Sequence, residues 1–219
     1  MKAVLLTGHG GLERLEYRED VAMPVPAAGE ALIRVSACGL NNTDINTRTA
    51  WYSKGVEQGI TESGVLGGYE EASDGDGSWG NSAISFPVIQ GADVCGYVES
   101  VNAGDERNLI GKRVMIDPWI LDPVNPDDLS RARYFGSEIN GGYAEYTVAP
   151  IGNVHVVDSS QSDEEVATYA CAYSTAENLI GRTGLAEGES IVISGASGGV
   201  GSAAIQLAKI RGARVIALW

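Results

Sequence analysis

Residues 193–219 read ISGASGGVGSAAIQLAKIRGARVIALW, and this stretch decides how the second half of the chain folds. Together with the apolar residues that precede the turn, SIVIS (190–194), it predicts a strand, a glycine turn, an amphipathic helix and a second strand. Ala196, Gly198 and Gly201 occupy the positions of a G-x-G-x-x-G pattern, with alanine replacing the first glycine. A βαβ unit of this kind opens a dinucleotide-binding sheet. The alternative is a tight turn in an unrelated α/β fold.

The spacing of the small residues has a physical reason. One makes the tight turn, one lets the main chain approach a pyrophosphate, and Gly201 lets the helix pack against the strand. The amide groups at the start of the helix then face the phosphates. The acidic residue that would bind the ribose normally lies about 20 residues further on, and counting from Gly201 leads past Trp219. The sequence therefore predicts NADP or NAD without separating the two.

The first half of the chain predicts β structure. Short apolar or alternating segments bounded by Gly, Pro, Asn and Asp indicate strands at 30–37, 93–101, 113–117, 143–149 and 154–158. In the first segment, Ala31, Ile33, Val35 and Ala37 share one face. Several short strands with turns between them suggest a partly closed barrel or a sandwich.

Two stretches interrupt the strands. Residues 52–86 hold eight glycines and six acidic residues against one lysine, which predicts a mobile surface loop. Residues 118–142 contain three prolines and predict another irregular connection. After Asp158 the pattern becomes helical, with Ser162 as the N-cap. We therefore expect one domain at 1–157, and a helical connection with a second domain at 158–219.

Charge and composition exclude several classes of function. The formal net charge is −14, which disfavours nucleic acid and anionic membrane as partners. No apolar run approaches the roughly 20 residues of a membrane span, and the first residues do not resemble a signal peptide. Three cysteines, at 38, 95 and 171, are too few for a disulfide framework. We expect a cytoplasmic protein that binds a small molecule.

Four further motifs carry a resemblance that covers nearly the whole chain. They are GLNNTDINTRTAWY (39–52), FPVIQGADVCGYVESV (86–101), GGYAEYTVAP (141–150) and STAENL (174–179). With the glycine turn, they resemble the medium-chain dehydrogenase/reductase superfamily, and most of all its zinc-independent quinone oxidoreductase branch.

The resemblance implies a mixed α/β fold. A GroES-like β-barrel that binds substrate precedes the first βαβ unit of an incomplete Rossmann domain. It implies an NAD(P)-dependent oxidoreductase that transfers a hydride to or from a quinone, an enone or an alcohol/carbonyl pair. The chain is expected to be a fragment truncated within the Rossmann domain, and inactive as such. A homodimer is common in this family and stays open.

The resemblance also assigns site residues. Asn41 is expected to offer an amide donor, Asp44 to orient its neighbours, and Tyr52 to present a phenol or a stacking face to substrate. Alternatively, Asp44 and Arg48 form a structural ion pair at i, i+4. Thr175 is expected near the nicotinamide ring. The other expected cofactor residues are Ala196, Ser197, Gly198, Gly199, Val200 and Gly201.

No zinc is expected. Zinc-dependent members of the superfamily hold the metal with cysteine, histidine and cysteine, and the matching positions here are Asn41, Ala92 and Cys171. A catalytic zinc needs three protein ligands. Two alternatives stay open: an atypical zinc site made of Asp93, Cys171 and Cys38, and a non-catalytic GroES-like binding module. The acidic stretch 52–86 departs from the family pattern, either as a lid over the substrate mouth or as an insertion without a role.

Overall fold

The computed structural model describes residues 1–70, 72, 83–102, 104 and 106–219. The chain divides into two units, Met1–Thr168 and Tyr169–Trp219. The sequence predicts a boundary after residue 157, so the two divisions differ over the segment 158–168. The mixed α/β class that the sequence predicts is confirmed.

The first unit is mostly antiparallel sheet. Apart from short 3-10 turns, its described α-helices and strands are β1 (Ala3–Leu6), β2 (Leu15–Arg18), β3 (Glu30–Gly39), α1 (Asn42–Arg48), α2 (Glu62–Gly67), β4 (Val88–Ile89), β5 (Asp93–Val101), β6 (Arg113–Ile116), β7 (Trp119–Ile120), β8 (Arg133–Tyr134), β9 (Tyr146–Pro150), β10 (Val154–Val156) and α3 (Asp163–Val166). The described strands form one sheet in the order β10-β6-β5-β3-β9, a second in the order β2-β1-β4, and the pair β7-β8. Ile33, Val94, Ile116 and Phe135 lie in the main apolar core.

Strand β3 does not keep a single alternation along its length. Its pairing with β5 shifts register between Val35 and Ala37, and such a bulge moves the following side chains to the other face. Val35 and Cys38 therefore pack against the main core. Ala37 packs in a separate cluster with Cys95 and Val166. The prediction that Ala37 shares the face of Ala31 is wrong for this reason.

The two interrupting stretches contain more structure than their composition indicates. Strands β7 and β8 pair antiparallel within 118–142, with Trp119 opposite Tyr134. Within 52–86, α2 begins at a Thr61 side chain that caps the Gly64 amide at 3.1 Å. Tyr69 is buried. The prediction of an unordered loop is therefore wrong for 61–70, while its part at 71 and 73–82 lies outside the described residues.

The segment before Thr168 is fastened to the first unit. Asp163 accepts hydrogen bonds from the Ser36 hydroxyl and, at 2.7 Å, from Arg113 Nε. The Arg113 guanidinium also donates to the carbonyls of Ser159 and Gln161, at 3.0 and 2.7 Å. Ser162 is the N-cap of α3, as predicted. These contacts explain why the division falls later than the change in sequence pattern.

The second unit is a helix followed by a βαβ unit. Its described elements are α4 (Ala170–Thr183), β11 (Ser190–Ile193), α5 (Gly199–Ile210) and β12 (Arg214–Ala217). β11 and β12 pair parallel, with Ile193 opposite Ala217. Ala204 and Ala208 of α5 pack in one cluster with Ile180 of α4. Among the described residues, no helix has both the length and the apolar character to cross a bilayer.

Asp163 makes the stability of the first unit depend on acid pH. The Ser36 hydrogen bond, followed by that from Arg113, lowers the pKa of Asp163 below the ordinary value of about 3.9. Its stabilising contribution is therefore complete above about pH 4 and is lost as the pH falls towards the folded-state pKa. We expect Asp163→Asn to reduce the difference in unfolding free energy between pH 6 and pH 3, measured by urea unfolding. Asp158 is exposed, so Asp158→Asn serves as the control. If the unfolding free energy depends on pH equally in the two variants, the proposed contribution of the Asp163 contacts is wrong.

Candidate functional site

The first group of predicted site residues lies at the junction of β3 and α1. Asn41 has extended backbone angles and is the N-cap of α1. Its main-chain amide donates to the Asp44 carboxylate at 2.9 Å. The carboxylate in the first turn thus satisfies the amide that precedes the helix, which fixes where the helix starts. Asn41 and Asp44 are therefore brought together by the first turn of α1.

The Asp44 carboxylate also joins α1 to two other segments. It accepts the Tyr143 hydroxyl at 2.8 Å and the Gly91 amide at 3.2 Å. The main-chain carbonyl of Asp44 accepts Gln90 Nε2 at 2.8 Å. Asp44 is 7% exposed, and burial raises its pKa while the hydrogen bonds oppose that rise. Burial and the Asp44 charge raise the pKa of the Tyr143 hydroxyl, which is thereby kept as a donor.

Arg48 has different partners from those that its spacing suggests. Its guanidinium donates to the carbonyls of Gly10, at 2.6 Å, and Val65, at 2.9 Å. Asp44, four residues earlier, directs its carboxylate to Asn41, Gly91 and Tyr143 instead. The alternative of an Asp44–Arg48 ion pair is therefore wrong. Arg48 is 4% exposed and ties α1 to the loop at Gly10 and to α2.

A second carboxylate contacts Asn41 from the other side. Asn41 Nδ2 donates to Asp93 Oδ2, and Asp93 lies at the start of β5, opposite Gly39 of β3. Cys38 lies nearby, and burial, with added effects of Asp44 and Asp93, raises the pKa of its thiol. The Asn41 amide that the sequence predicts as a donor to substrate therefore already donates one bond within the protein.

Tyr52 lies beyond the other end of α1. Ala50 has a left-handed φ of 58°, so the chain turns sharply after the helix. The Tyr52 ring meets the Trp51 ring edge to face, with centroids 5.5 Å apart. Its hydroxyl accepts Asn46 Nδ2 at 3.4 Å. Within the described part of the chain, the buried Trp51 Nε1 has no hydrogen-bond partner.

The second group of predicted site residues lies in the second unit, at the glycine turn. Gly198 is the N-cap of α5, and among the described residues no side chain caps this end. A Cβ on Gly201 would lie 2.3 Å from the Gly195 carbonyl oxygen, so only glycine allows this packing. Gly195 itself has the left-handed φ of 63°. Ala196 is buried, while Ser197, Gly198 and Gly199 are exposed.

Thr175 lies on α4, whose neighbouring residues contact the turn. Ala176 packs in one cluster with Ala196, and a Cβ on Gly199 would lie 3.6 Å from that of Ala172. Thr175 is exposed, and its hydroxyl donates to the Cys171 carbonyl at 2.8 Å. The predicted cofactor residues thus share the second unit, whereas Asn41, Asp44 and Tyr52 share the first.

Three residues, Asp93, Tyr143 and Gly195, have structural roles in the site that the sequence does not predict. The sequence predicts Asp93 only as a ligand of the atypical zinc site, and it predicts no role for Tyr143 or Gly195. Nothing in the local pattern marks Asp93 or Tyr143 as partners of α1, because they lie about 50 and 100 residues away along the chain. The SGASGG run contains Gly195 and could have indicated a left-handed turn residue.

The residues at the expected zinc positions do not fit a metal. Asn41 donates through its amide to Asp93, and Ala92 has no donor atom. Within residues 1–70, 72, 83–102, 104 and 106–219, no group of three His, Cys, Asp or Glu side chains could hold a metal ion.

Comparison with protein families and curated proteins identifies related chains. Residues 27–159 match the model of the alcohol dehydrogenase GroES-like domain. A quinone oxidoreductase of Pongo abelii is 30% identical over 99% of this chain and 52% of its own. An NAD-dependent alcohol dehydrogenase of Sulfolobus acidocaldarius is 28% identical over 99% of this chain and 58% of its own. The chain thus spans about half the length of the curated relatives it matches.

Solved structures similar to this chain include the same two kinds of enzyme. A protein of Sinorhizobium meliloti 1021 described as a candidate alcohol dehydrogenase is 45% identical, with a TM-score of 0.80 over 99% of this chain and 56% of that one. The quinone oxidoreductase of Thermus thermophilus, known also in complex with NADPH, is 27% identical, with a TM-score of 0.65 over 99% of this chain and 52% of that one.

The Arg48 contacts can be tested by substitution. Arg48→Met leaves the carbonyls of Gly10 and Val65 without their charged donor, so we expect the free energy of unfolding to fall by about 2–4 kcal/mol. We also expect faster hydrogen exchange at the amides of Val65 and Gly68. Arg34→Met is the matched control, since Arg34 is half exposed and its ion pair with Glu99 is long at 3.9 Å. Equal losses of stability in the two variants, with unchanged exchange at α2, would show that Arg48 does not hold this helix.

Proposed function

The chain belongs to the alcohol dehydrogenase GroES-like family, within the medium-chain dehydrogenase/reductase superfamily, and we propose that it binds NADP or NAD at the glycine turn and transfers a hydride to or from a small substrate beside Asn41. Its relatives are quinone oxidoreductases and alcohol dehydrogenases, which supports the oxidoreductase class of the proposed activity. The cofactor, the substrate and the residue roles below belong to the proposal.

The observation that carries the proposal is the open N terminus of α5. The first amides of a helix have no partner within it, and here no side chain of the described residues caps that end. The turn before it is exposed at Ser197, Gly198 and Gly199. Free amides and the positive end of the helix dipole suit the phosphates of a dinucleotide. The NADPH complex of the Thermus thermophilus relative supports the same cofactor class.

The chemistry supplied by a bound nicotinamide is hydride transfer. With a quinone as substrate, the bound nicotinamide would supply the hydride and solvent the proton, which would give the hydroquinone and NAD(P)⁺. The protein has to hold the acceptor and stabilise the negative charge that develops on its oxygen. We assign that task to the Asn41 side chain, positioning of α1 to Asp44, and contact with the substrate ring to Tyr52.

The charges around this site favour a neutral substrate. Asp44 and Asp93 are both buried carboxylates that accept hydrogen bonds from Asn41. The buried cation of the same helix, Arg48, is directed to the carbonyls of Gly10 and Val65. A quinone or an enone carries no charge to be repelled, whereas a carboxylate substrate would be disfavoured there.

We further propose that the reaction needs no zinc. The support is the unsuitable chemistry of Asn41 and Ala92, which stand where zinc-dependent members of the superfamily have metal ligands. A non-catalytic GroES-like binding module is the competing proposal, and the open glycine turn argues against it. A cytoplasmic location and a homodimer are retained as parts of the proposal. Cys38, Cys95 and Cys171 are thiols and not disulfides, which suits a reducing compartment.

Cofactor binding is tested at Gly201. In Gly201→Ala, the new methyl would meet the Gly195 carbonyl oxygen at 2.3 Å and displace the turn. We expect the NADPH Kd to rise at least about tenfold, equivalent to about 1.4 kcal/mol. Gly181→Ala is the matched control, because a Cβ on Gly181 of α4 meets nothing within 4 Å.

The Kd is measured by the fluorescence of NADPH, both on this chain and on the complete gene product that carries it. Equal affinities for the two variants would contradict the role of the turn. A complete gene product that binds neither NADPH nor NADH would refute the proposed function and favour the binding module.

The zinc-free reaction is tested by metal content. We expect the active protein, purified without chelator, to contain far less than one zinc per chain by mass spectrometry of the metal. We also expect its turnover to be unchanged after dialysis against a chelator, because no step uses a metal. One zinc per chain, with loss of turnover on dialysis, would revive the atypical site of Asp93, Cys171 and Cys38.

A further inference from the structure

We propose that Asp93 is a positioning residue of this site: its buried carboxylate holds the Asn41 side-chain amide in the orientation that substrate meets. The inference rests on the proposed function, because Asn41 is the residue through which Asp93 acts. In this proposal, a carboxylate at the start of β5 sets the orientation of the Asn41 side chain, which lies between β3 and α1.

Asp93 is held rigidly. It is 1% exposed and is the first residue of β5, where its backbone pairs with Gly39 at the end of β3. Residues on paired central strands have little freedom to move, and a group fixed in this way can orient another side chain accurately. Asn41 follows the same end of β3 by only two residues, so both partners start from the same pair of strands.

The backbone at the end of β3 packs closely against Asp93. A Cβ on Gly39 would lie 3.0 Å from the Asp93 Cβ and 2.2 Å from the carbonyl oxygen of Ala167. Only glycine at position 39 therefore allows the β3 end, Asp93 and the segment after α3 to approach one another. The carboxylate lies within a junction of three segments of the first unit.

Asn41 is in turn fixed at two points. Its main-chain amide donates to Asp44 at 2.9 Å, and its side-chain amide donates to Asp93. A hydrogen bond to a buried carboxylate is stronger than one between neutral groups. Without it, the planar amide of Asn41 could turn over and exchange its oxygen for its nitrogen on the substrate side. A donor aimed at a developing oxyanion would then become an acceptor.

The test uses the complete gene product saturated with NADPH and 1,4-benzoquinone as substrate. We expect Asp93→Ala to lower kcat by about 10- to 100-fold, because the misplaced amide no longer meets the reacting oxygen. Asp93→Asn keeps the size and one acceptor atom, so an intermediate loss is expected. The NADPH Kd should stay within about twofold in both variants, because cofactor phosphates are held by another segment of the chain.

Asp122→Asn is the matched control. Asp122 is a carboxylate of the same unit that pairs with the exposed Arg131 at 2.6 Å and caps the amides of Val124 and Asn125. Its loss should leave kcat unchanged. If Asp93→Ala fails to fold, the isosteric Asp93→Asn carries the test.

An independent readout is the ¹⁵N-resolved signal of the Asn41 side-chain amide. We expect its proton shift to move upfield in both Asp93 variants and to be unchanged in Asp122→Asn, since it is Asp93 that accepts from this group. If Asp93→Asn moves the Asn41 signal but keeps the wild-type kcat, the orientation of Asn41 does not matter for turnover. That result would overturn the positioning role of Asp93 and leave the proposed function standing. A wild-type protein that binds no nicotinamide cofactor would overturn the proposed function, and this inference with it.

Discussion

The hydrogen bonds to the Asp44 carboxylate are the interaction on which the position of α1 in the first unit depends. It receives hydrogen bonds from the start of its own helix, from the loop after β4 and from the segment that precedes β9. These segments are distant in sequence, and the last two also pair with each other, as in the Tyr143 amide that donates to the Gln90 carbonyl at 2.9 Å. A buried carboxylate is costly unless its lone pairs are satisfied, and these three donors satisfy it. Helix α1 is thereby held at one end of the sheet.

The other end of α1 is held by a cation in a complementary way. Arg48 donates to carbonyls of two segments, Gly10 and Val65, just as Asp44 accepts from several. The helix is only seven residues long and would not be stable in isolation. Charged groups at its two ends, each satisfied by partners from other segments, give a short helix a defined position. Asn41 and Tyr52 flank this helix, so their positions follow from its anchoring.

The sequence predicts well those parts of the fold that depend on neighbours along the chain. The βαβ unit, the N-cap at Ser162 and most strands follow from apolar periodicity and capping residues. The bulge in β3 was not predictable, because alternation in the sequence continues through Val35 and Ala37 while the pairing shifts. The spacing of Asp44 and Arg48 suggests an ion pair that burial and better-placed carbonyls override. The Asn41–Asp93 contact joins the N-cap of α1 to the start of β5, two positions that no local pattern relates.

Gly39 has a consequence for any attempt to redesign the specificity of this protein. Even a methyl group at this position would collide with the Ala167 carbonyl, so position 39 does not tolerate substitution. The very next residue, Leu40, is 85% exposed and precedes Asn41 directly. A library of side chains at position 40 can therefore change the surroundings of the site while the scaffold that orients it stays intact. Adjacent positions thus differ completely in their tolerance to mutation.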